Sequence, residues 1–109
     1  MKRLPPSIQE DHRYAAFRVD SEEPVLFGQV VDALQEAVLR VAGTSGASLA
    51  DMWVMENRYS DEEQTGVVRF NSRTEDEIRS SIALIEDVGG NKASFEVLEV
   101  SGTLKSLEN

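Results

Sequence analysis

The apolar residues of this chain switch repeatedly between two periodicities, and that alternation restricts the layers it can form. Ala15, Phe17 and Val19 recur at every second position, the spacing of a strand with one buried face. Phe27, Val31, Leu34, Val38 and Val41 then fall at i, i+4, i+7, i+11 and i+14, an apolar stripe on one side of a helix. Strand-like runs return at 52–59 and 65–71, joined by a polar turn at 60–64, which reads as a hairpin. Ile78, Ile82 and Ile85 restore the helical spacing, and 93–100 closes the series as a fourth strand.

Local signals mark the ends of these elements. Ser21 can cap a helix whose first turn carries Glu22 and Glu23 and tolerates Pro24. That helix is expected to reach about Ala42, where Gly43 and Gly46 break it, with one further short turn over 47–51. Thr74 and Glu77 have the spacing of a capping box, and Gly89-Gly90 is expected to end the second helix. The order βαββαβ is the ferredoxin-like pattern, an α+β sandwich. It predicts a four-stranded antiparallel sheet of order 4-1-3-2 with both helices on one face. Pro5-Pro6 makes 1–12 an extended arm. Residues 13–103 form one domain, and 104–109 a polar tail.

Composition narrows the function classes. The chain has 109 residues, enough for one domain and one modest core. It has no cysteine, so disulfides and thiolate metal sites are excluded. No apolar run approaches membrane length, and the basic N-terminus is not followed by the apolar segment of a secretory signal, so a cytoplasmic location is expected. Twenty acids oppose eleven bases, for a net charge of −9. Only Lys2, Lys92 and Lys105 are lysines; the other eight bases are arginines. Many acids with few lysines suit a surface adapted to high salt, and equally an ordinary acidic protein. An acidic surface argues against nucleic acid unless the remaining bases are grouped, so their positions carry the information.

A catalytic constellation is not evident. His12 stands alone, without the partners of a metal site or a Ser-His-Asp set, and reads as a loop residue. Asp61-Glu62-Glu63 lacks calcium-loop spacing and reads as a solvated turn. Gly43 and Gly46 match neither phosphate-binding fingerprint. Trp53 reads as core or interface in preference to a stacking platform.

The open face of the sheet is more informative. With Phe17 and Val19 facing the helices, Tyr14 and Arg18 point outward from the first strand. With Val68 and Phe70 inward, Val67, Arg69 and Asn71 point outward from the third. An aromatic among arginines suits RNA bases and phosphates, and equally the rim of a protein interface. The ends add bases. Lys2 and Arg3 lie on the proline-stiffened arm, Arg13 opens the first strand, and Ser101-Gly102-Thr103 with Lys105 follows the last. Hydroxyls and a glycine there suit phosphate, or an ordinary strand-end turn. Antiparallel pairing of the first and last strands would bring these two ends to one edge.

Lys2-Arg3-Leu4-Pro5-Pro6-Ser7, Arg13-Tyr14, Gly46-Ala47-Ser48-Leu49-Ala50-Asp51, Gly66-Val67-Val68-Arg69 and Val100-Ser101-Gly102-Thr103-Leu104-Lys105 follow one another in an order that resembles archaeal ribonuclease P protein component 2. The resemblance spans essentially the whole chain; the departure is its acidity, which a salt-adapted archaeon would explain. It implies the same fold and a non-catalytic subunit of the ribonucleoprotein that removes the 5′ leader from precursor tRNA. It implies as partners the ribonuclease P RNA, precursor tRNA through the holoenzyme, and other protein subunits, component 3 above all. No cofactor is implied on the chain itself, while Mg2+ is implied on the RNA. The other reading is a ferredoxin-like regulatory or protein-interaction module that works without RNA.

Overall fold

The computed structural model describes residues 11–107. β1 (His12–Ser21) lies at the centre of an antiparallel sheet, with β3 (Thr65–Asn71) on one side and β5 (Asn91–Ser101) on the other. β2 (Trp53–Val54) flanks β3, and β4 (Asp87–Val88) flanks β5, giving the order β2-β3-β1-β5-β4. The order expected for the four strands is present, but a fifth strand extends the sheet. Gly89 and Gly90 explain it. They form the two-residue tip of the β4–β5 hairpin at φ 60° and 85°, where Asp87 pairs with Lys92 and Val88 with Asn91. Both tip residues need the left-handed region, which glycine supplies without strain. They are therefore not the end of a helix, and α2 (Glu75–Ala83) stops earlier.

α1 (Phe27–Ala50) and α2 pack on each other and cover one face of the sheet. The core between them comprises Ala15, Phe17, Val19, Val68, Phe70 and Phe95 from the strands against Val30, Leu34, Ala37, Val38, Ile78 and Ile82 from the helices. Burying each large member contributes about 1.5–3 kcal/mol. Phe17 and Phe95 stack across β1 and β5 with ring centroids 5.4 Å apart. The α1 stripe is displaced from the expected one. Leu34 and Val38 are buried, Phe27 and Val31 only partly so, and Val30 and Ala37 replace Val41 in the core.

The start of α1 also differs from expectation. Ser21 closes β1 and its hydroxyl donates to the Glu23 carbonyl, so it does not cap a helix, and Pro24 lies in the connecting loop. The helix begins six residues later, where the Gln29 Oε1 accepts from the Leu26 N–H at 2.9 Å. The loop is held by Gln64, which accepts from the Val25 N–H and donates to the Val25 carbonyl. Tyr59 also donates to that carbonyl. At its far end α1 breaks at Gly43 (φ 72°, ψ 179°) and resumes until Asp51, at φ 45°, ends it. Gly46 is not a second break. It lies where a Cβ would come 2.5 Å from the Ala42 Cβ, so it lets the two helical segments approach.

The hairpin expected over 52–71 is present with a shorter first strand. After Val54 the chain turns through a 3-10 segment, Glu56–Arg58, in which the Arg58 N–H donates to the Met55 carbonyl. Ser60 pairs with Thr65 again before the turn. The Thr74 capping box does not form. The Thr74 hydroxyl is buried and donates to the Asn71 carbonyl at 2.7 Å, which leaves no side-chain cap. Finally, Leu104–Leu107 forms a short helix, α3, within what reads in the sequence as a polar tail.

A candidate nucleic-acid interface at one end of the sheet

Register organises the uncovered face of the sheet. Trp53 of β2 pairs with Arg69 of β3, Arg69 with Tyr14 of β1, and Tyr14 with Ser101 of β5. Four strands therefore contribute one row of side chains, on the side opposite Phe17 and Val68. Trp53 is 60% exposed, whereas its neighbour Val54 is buried on the helix side. Tyr14 and Arg69 are half-buried in the row.

The expected residues divide. Tyr14 and Arg69 stand directly opposite one another, as the open-face reading requires. Arg18 is on the same face, but it pairs with Thr65 and lies four residues along β1 from Tyr14, about 13 Å at strand rise. It is ion-paired to Glu96, its partner on β5. Arg13 leans the other way, towards the helices, where its Nε is 3.5 Å from the Glu75 carboxylate that also receives Arg79 at 2.9 Å. Asn71, expected outward, is 1% exposed; its Oδ1 accepts from the Arg73 N–H and so shapes the turn into α2.

The C-terminal group is brought alongside. Ser101 ends β5 beside Tyr14, and its Oγ accepts from the Thr103 N–H. Thr103 precedes α3 and its Oγ1 accepts from the Ser106 N–H, so both hydroxyls have local work. A Cβ at Gly102 would meet nothing within 4 Å, so no contact inside the chain demands glycine there. Lys105 is exposed on α3. Lys2 and Arg3 lie outside the described residues.

Two residues of this end escape the sequence reading. Arg73 is exposed on the turn after β3. Trp53 reads as core or interface, although alternation with the inward Val54 was the signal that it faces out. Among the described residues, Arg13, Arg18, Arg40 and Arg79 each contact a carboxylate, whereas Arg69, Arg73, Lys92 and Lys105 make no ion pair. Arg69, Arg73 and Lys105 come from segments that meet at the Tyr14 end of the sheet. The Arg69 Nε is buried and has no acceptor among the described residues.

The opposite end is acidic. Gln64, at φ 57°, pins the 61–63 turn beside the loop carrying Glu22 and Glu23 through its bonds to Val25, Tyr59 and Asp61. Burial, and then the Asp61 carboxylate, raise the Tyr59 hydroxyl above its ordinary pKa. Five exposed acids, Glu22, Glu23, Asp61, Glu62 and Glu63, therefore surround the end of β1 remote from Tyr14. The Tyr14 end, by contrast, mixes Arg69, Arg73 and Lys105 with the exposed acids Asp11, Asp51, Asp76 and Glu77. Among the described residues there is no group of three His, Asp or Glu side chains placed to hold a metal ion, and no helix is long and apolar enough to cross a membrane.

Known proteins are similar to this chain in sequence or in fold. The model of the Rpp14/Pop5 family matches residues 13–109. Ribonuclease P protein component 2 of Thermococcus gammatolerans is 38% identical over 98% of this chain and 88% of its own length. The Pyrococcus furiosus protein of the same name is 36% identical over the same shares, and that of Methanocaldococcus jannaschii 32% over 96% and 75%. A chain in the cryo-EM structure of yeast ribonuclease MRP shares the fold, with a TM-score of 0.69 at 14% identity over 87% of this chain and 76% of that one. With nearly the whole sequence matched and the fold in agreement, the chain belongs to the Rpp14/Pop5 family.

Proposed function

We propose that this chain is a non-catalytic protein subunit of ribonuclease P, supporting the catalytic RNA as it removes the 5′ leader from precursor tRNA. Its relatives carry the name ribonuclease P protein component 2 over matched lengths of nearly the whole chain. The observation that carries the reading onto this molecule is the grouping of Arg69, Arg73 and Lys105, free of ion pairs among the described residues, at one end of an otherwise acidic protein. Phosphates seek such a group, and binding there releases counterions from the RNA. The chain's part in catalysis is to hold RNA in place; Mg2+ bound to the RNA would supply the activated water.

Ser101 to Thr103 and Lys105 extend the RNA surface from the Tyr14 end; Lys2 and Arg3, outside the described residues, are further expected contacts. Arg13 and Arg18 are held by Glu75 and Glu96 and serve the fold in preference to phosphate binding. Component 3 is the expected protein partner, and the cytoplasm the expected location. The acidic remainder, with arginine favoured over lysine, fits work at high salt, where bidentate arginine contacts outlast diffuse charge attraction.

Reconstitution tests the reading. The RNA and the remaining protein subunits, assembled with and without this chain, are compared for cleavage of precursor tRNA across a Mg2+ series. Adding the chain is expected to raise the rate and lower the Mg2+ requirement. An unchanged rate and requirement would exclude the role.

A further inference from the structure

We propose that the row Trp53–Arg69–Tyr14 seats unpaired nucleotides, with bases stacked on the two rings and Arg69 holding a phosphate or base edge between them. The proposal rests on the RNA-subunit reading and specifies which form of RNA meets this face. Each step of the row is a register pair, so the two aromatic residues stand two strands apart, about 10 Å, on the same side of the sheet. Arg69 lies between them.

Three observations select the ligand. Trp53 leaves a large ring in water on a strand only two residues long, although the adjacent Val54 supplies the inward anchor of that strand. An exposed indole with no ring partner among the described residues is a stacking surface for any base, because every base has a π-face. Second, Arg69 makes no ion pair among the described residues, while its companion on this face, Arg18, is held by Glu96. Its buried Nε has no acceptor among the described residues, so the guanidinium retains hydrogen-bonding capacity for a ligand. Third, the row contains no carboxylate and ends at Ser101, whereas the acids of β5, Glu96 and Glu99, lie further down the sheet beside Arg18 and Ala16. A phosphate therefore meets no carboxylate within the row itself.

The form of RNA follows from the geometry. An A-form duplex keeps its bases stacked inside and offers phosphates and 2′-hydroxyls to a flat surface. Two separated rings flanking one guanidinium match bases that are splayed apart, as in a loop, a bulge or an end. A protein partner of the same face is the competing occupant, and the test separates the two.

Trp53 is the chain's single tryptophan, so its emission reports on this row alone. The full-length chain is titrated at low salt with an RNA oligonucleotide lacking self-complementarity, and with the same strand annealed to its complement. The single strand is expected to quench Trp53, and the duplex to leave it nearly unchanged. Tyr14→Leu, which removes one ring, is expected to shift the single-strand titration to about 5- to 150-fold higher concentration. Arg69→Gln supplies a second variant should Tyr14→Leu fold poorly, and is expected to shift it in the same direction. Absence of quenching by the single strand, or equal quenching by duplex, would overturn the proposal. So would quenching by the other protein subunits when single-stranded RNA has no effect, which would assign the face to protein. If quenching fails while reconstituted activity still depends on the chain, only the stacking row is lost. If activity never depended on the chain, the broader role falls with it.

Discussion

Gly66, the second residue of β3, stands directly opposite Phe17, and replacing it with alanine puts the packing beneath the open face to a quantitative test. A Cβ at this buried position would lie 2.7 Å from the Phe17 Cζ, 3.2 Å from its Cε2 and 3.1 Å from the Tyr59 Cδ1. Neither ring has an easy retreat. Phe17 is fully buried and stacked on Phe95. Tyr59 is tied by its hydroxyl to Val25 and Gln64, and its ring packs on Phe27. Inserting a methyl into such a space costs about 1–3 kcal/mol. Removing glycine from a strand returns about 0.5–1 kcal/mol of chain entropy. The net expectation for Gly66→Ala is a loss centred on about 1 kcal/mol and reaching about 2.5 kcal/mol, or a fall in Tm of roughly 4 °C reaching about 12 °C in a domain of this size. Thermal melts followed by circular dichroism read it, with urea titration as the check that the midpoint moves and the slope does not. An unchanged or higher Tm would show that the rings yield freely and that the fit around Phe17 is looser than the distances imply.

Further outcomes follow from the charged and titrating groups. Arg69→Ala is expected to weaken assembly with the RNA and to reduce the salt slope of binding by about one, with the melting curve largely preserved; a wild-type slope would remove Arg69 from the phosphate contacts. Arg18→Gln is expected to leave RNA assembly unchanged and to cost no more than about 1 kcal/mol of stability, because an exposed pair with Glu96 is all it breaks; a large loss of assembly would place RNA over β5 as well. The Tyr59 pKa is raised in the folded state above the ordinary 10.0, by burial first and Asp61 second. The folded state therefore holds this proton more tightly than the unfolded one. The resulting contribution is complete below pH 10 and fades as pH rises through the folded value. Tyr59→Phe should flatten that alkaline decline, and an identical decline in both proteins would trace it to other groups.

The strands and helices were legible in the sequence wherever one face is buried against a contiguous core. Alternation at Ala15, Phe17 and Val19 and helical spacing at Ile78 and Ile82 announced the buried faces, and the order of the four strands then followed, but the register, which sets Arg18 opposite Thr65 and away from Arg69, did not. In each miss a local signal was outbid by a competing contact. Ser21 has the chemistry of a cap, but pairing with Ala93 keeps it in the strand. Thr74 has the spacing of a capping box, but the Asn71 carbonyl takes its hydroxyl. Gly89-Gly90 suits a helix end and a hairpin tip equally, and only the pairing of Asp87 with Lys92 decides between them. In the candidate site, Tyr14 and Arg69 were readable from alternation alone. The neutralisation of Arg13 and Arg18 was not, because their carboxylates come from elements far away in sequence.

The acids of the 22–23 and 61–63 segments give the molecule a sense of direction before it touches anything. Five exposed carboxylates crowd one end of β1, while the other end mixes Arg69, Arg73 and Lys105 with Asp11, Asp51, Asp76 and Glu77. In the field of a polyanion such a body experiences a torque that turns the Tyr14 end forward and the 61–63 turn away. Collisions in the wrong orientation are rejected by repulsion, so fewer encounters are wasted on the road to a docked complex. The torque needs a screening length comparable to the distance between the poles. It is strong in dilute buffer, where that length reaches about 30 Å, and nearly gone at about 3 Å in molar salt. The same protein would therefore find its RNA by guided rotation in one medium and by random search in the other, arriving at the same contacts.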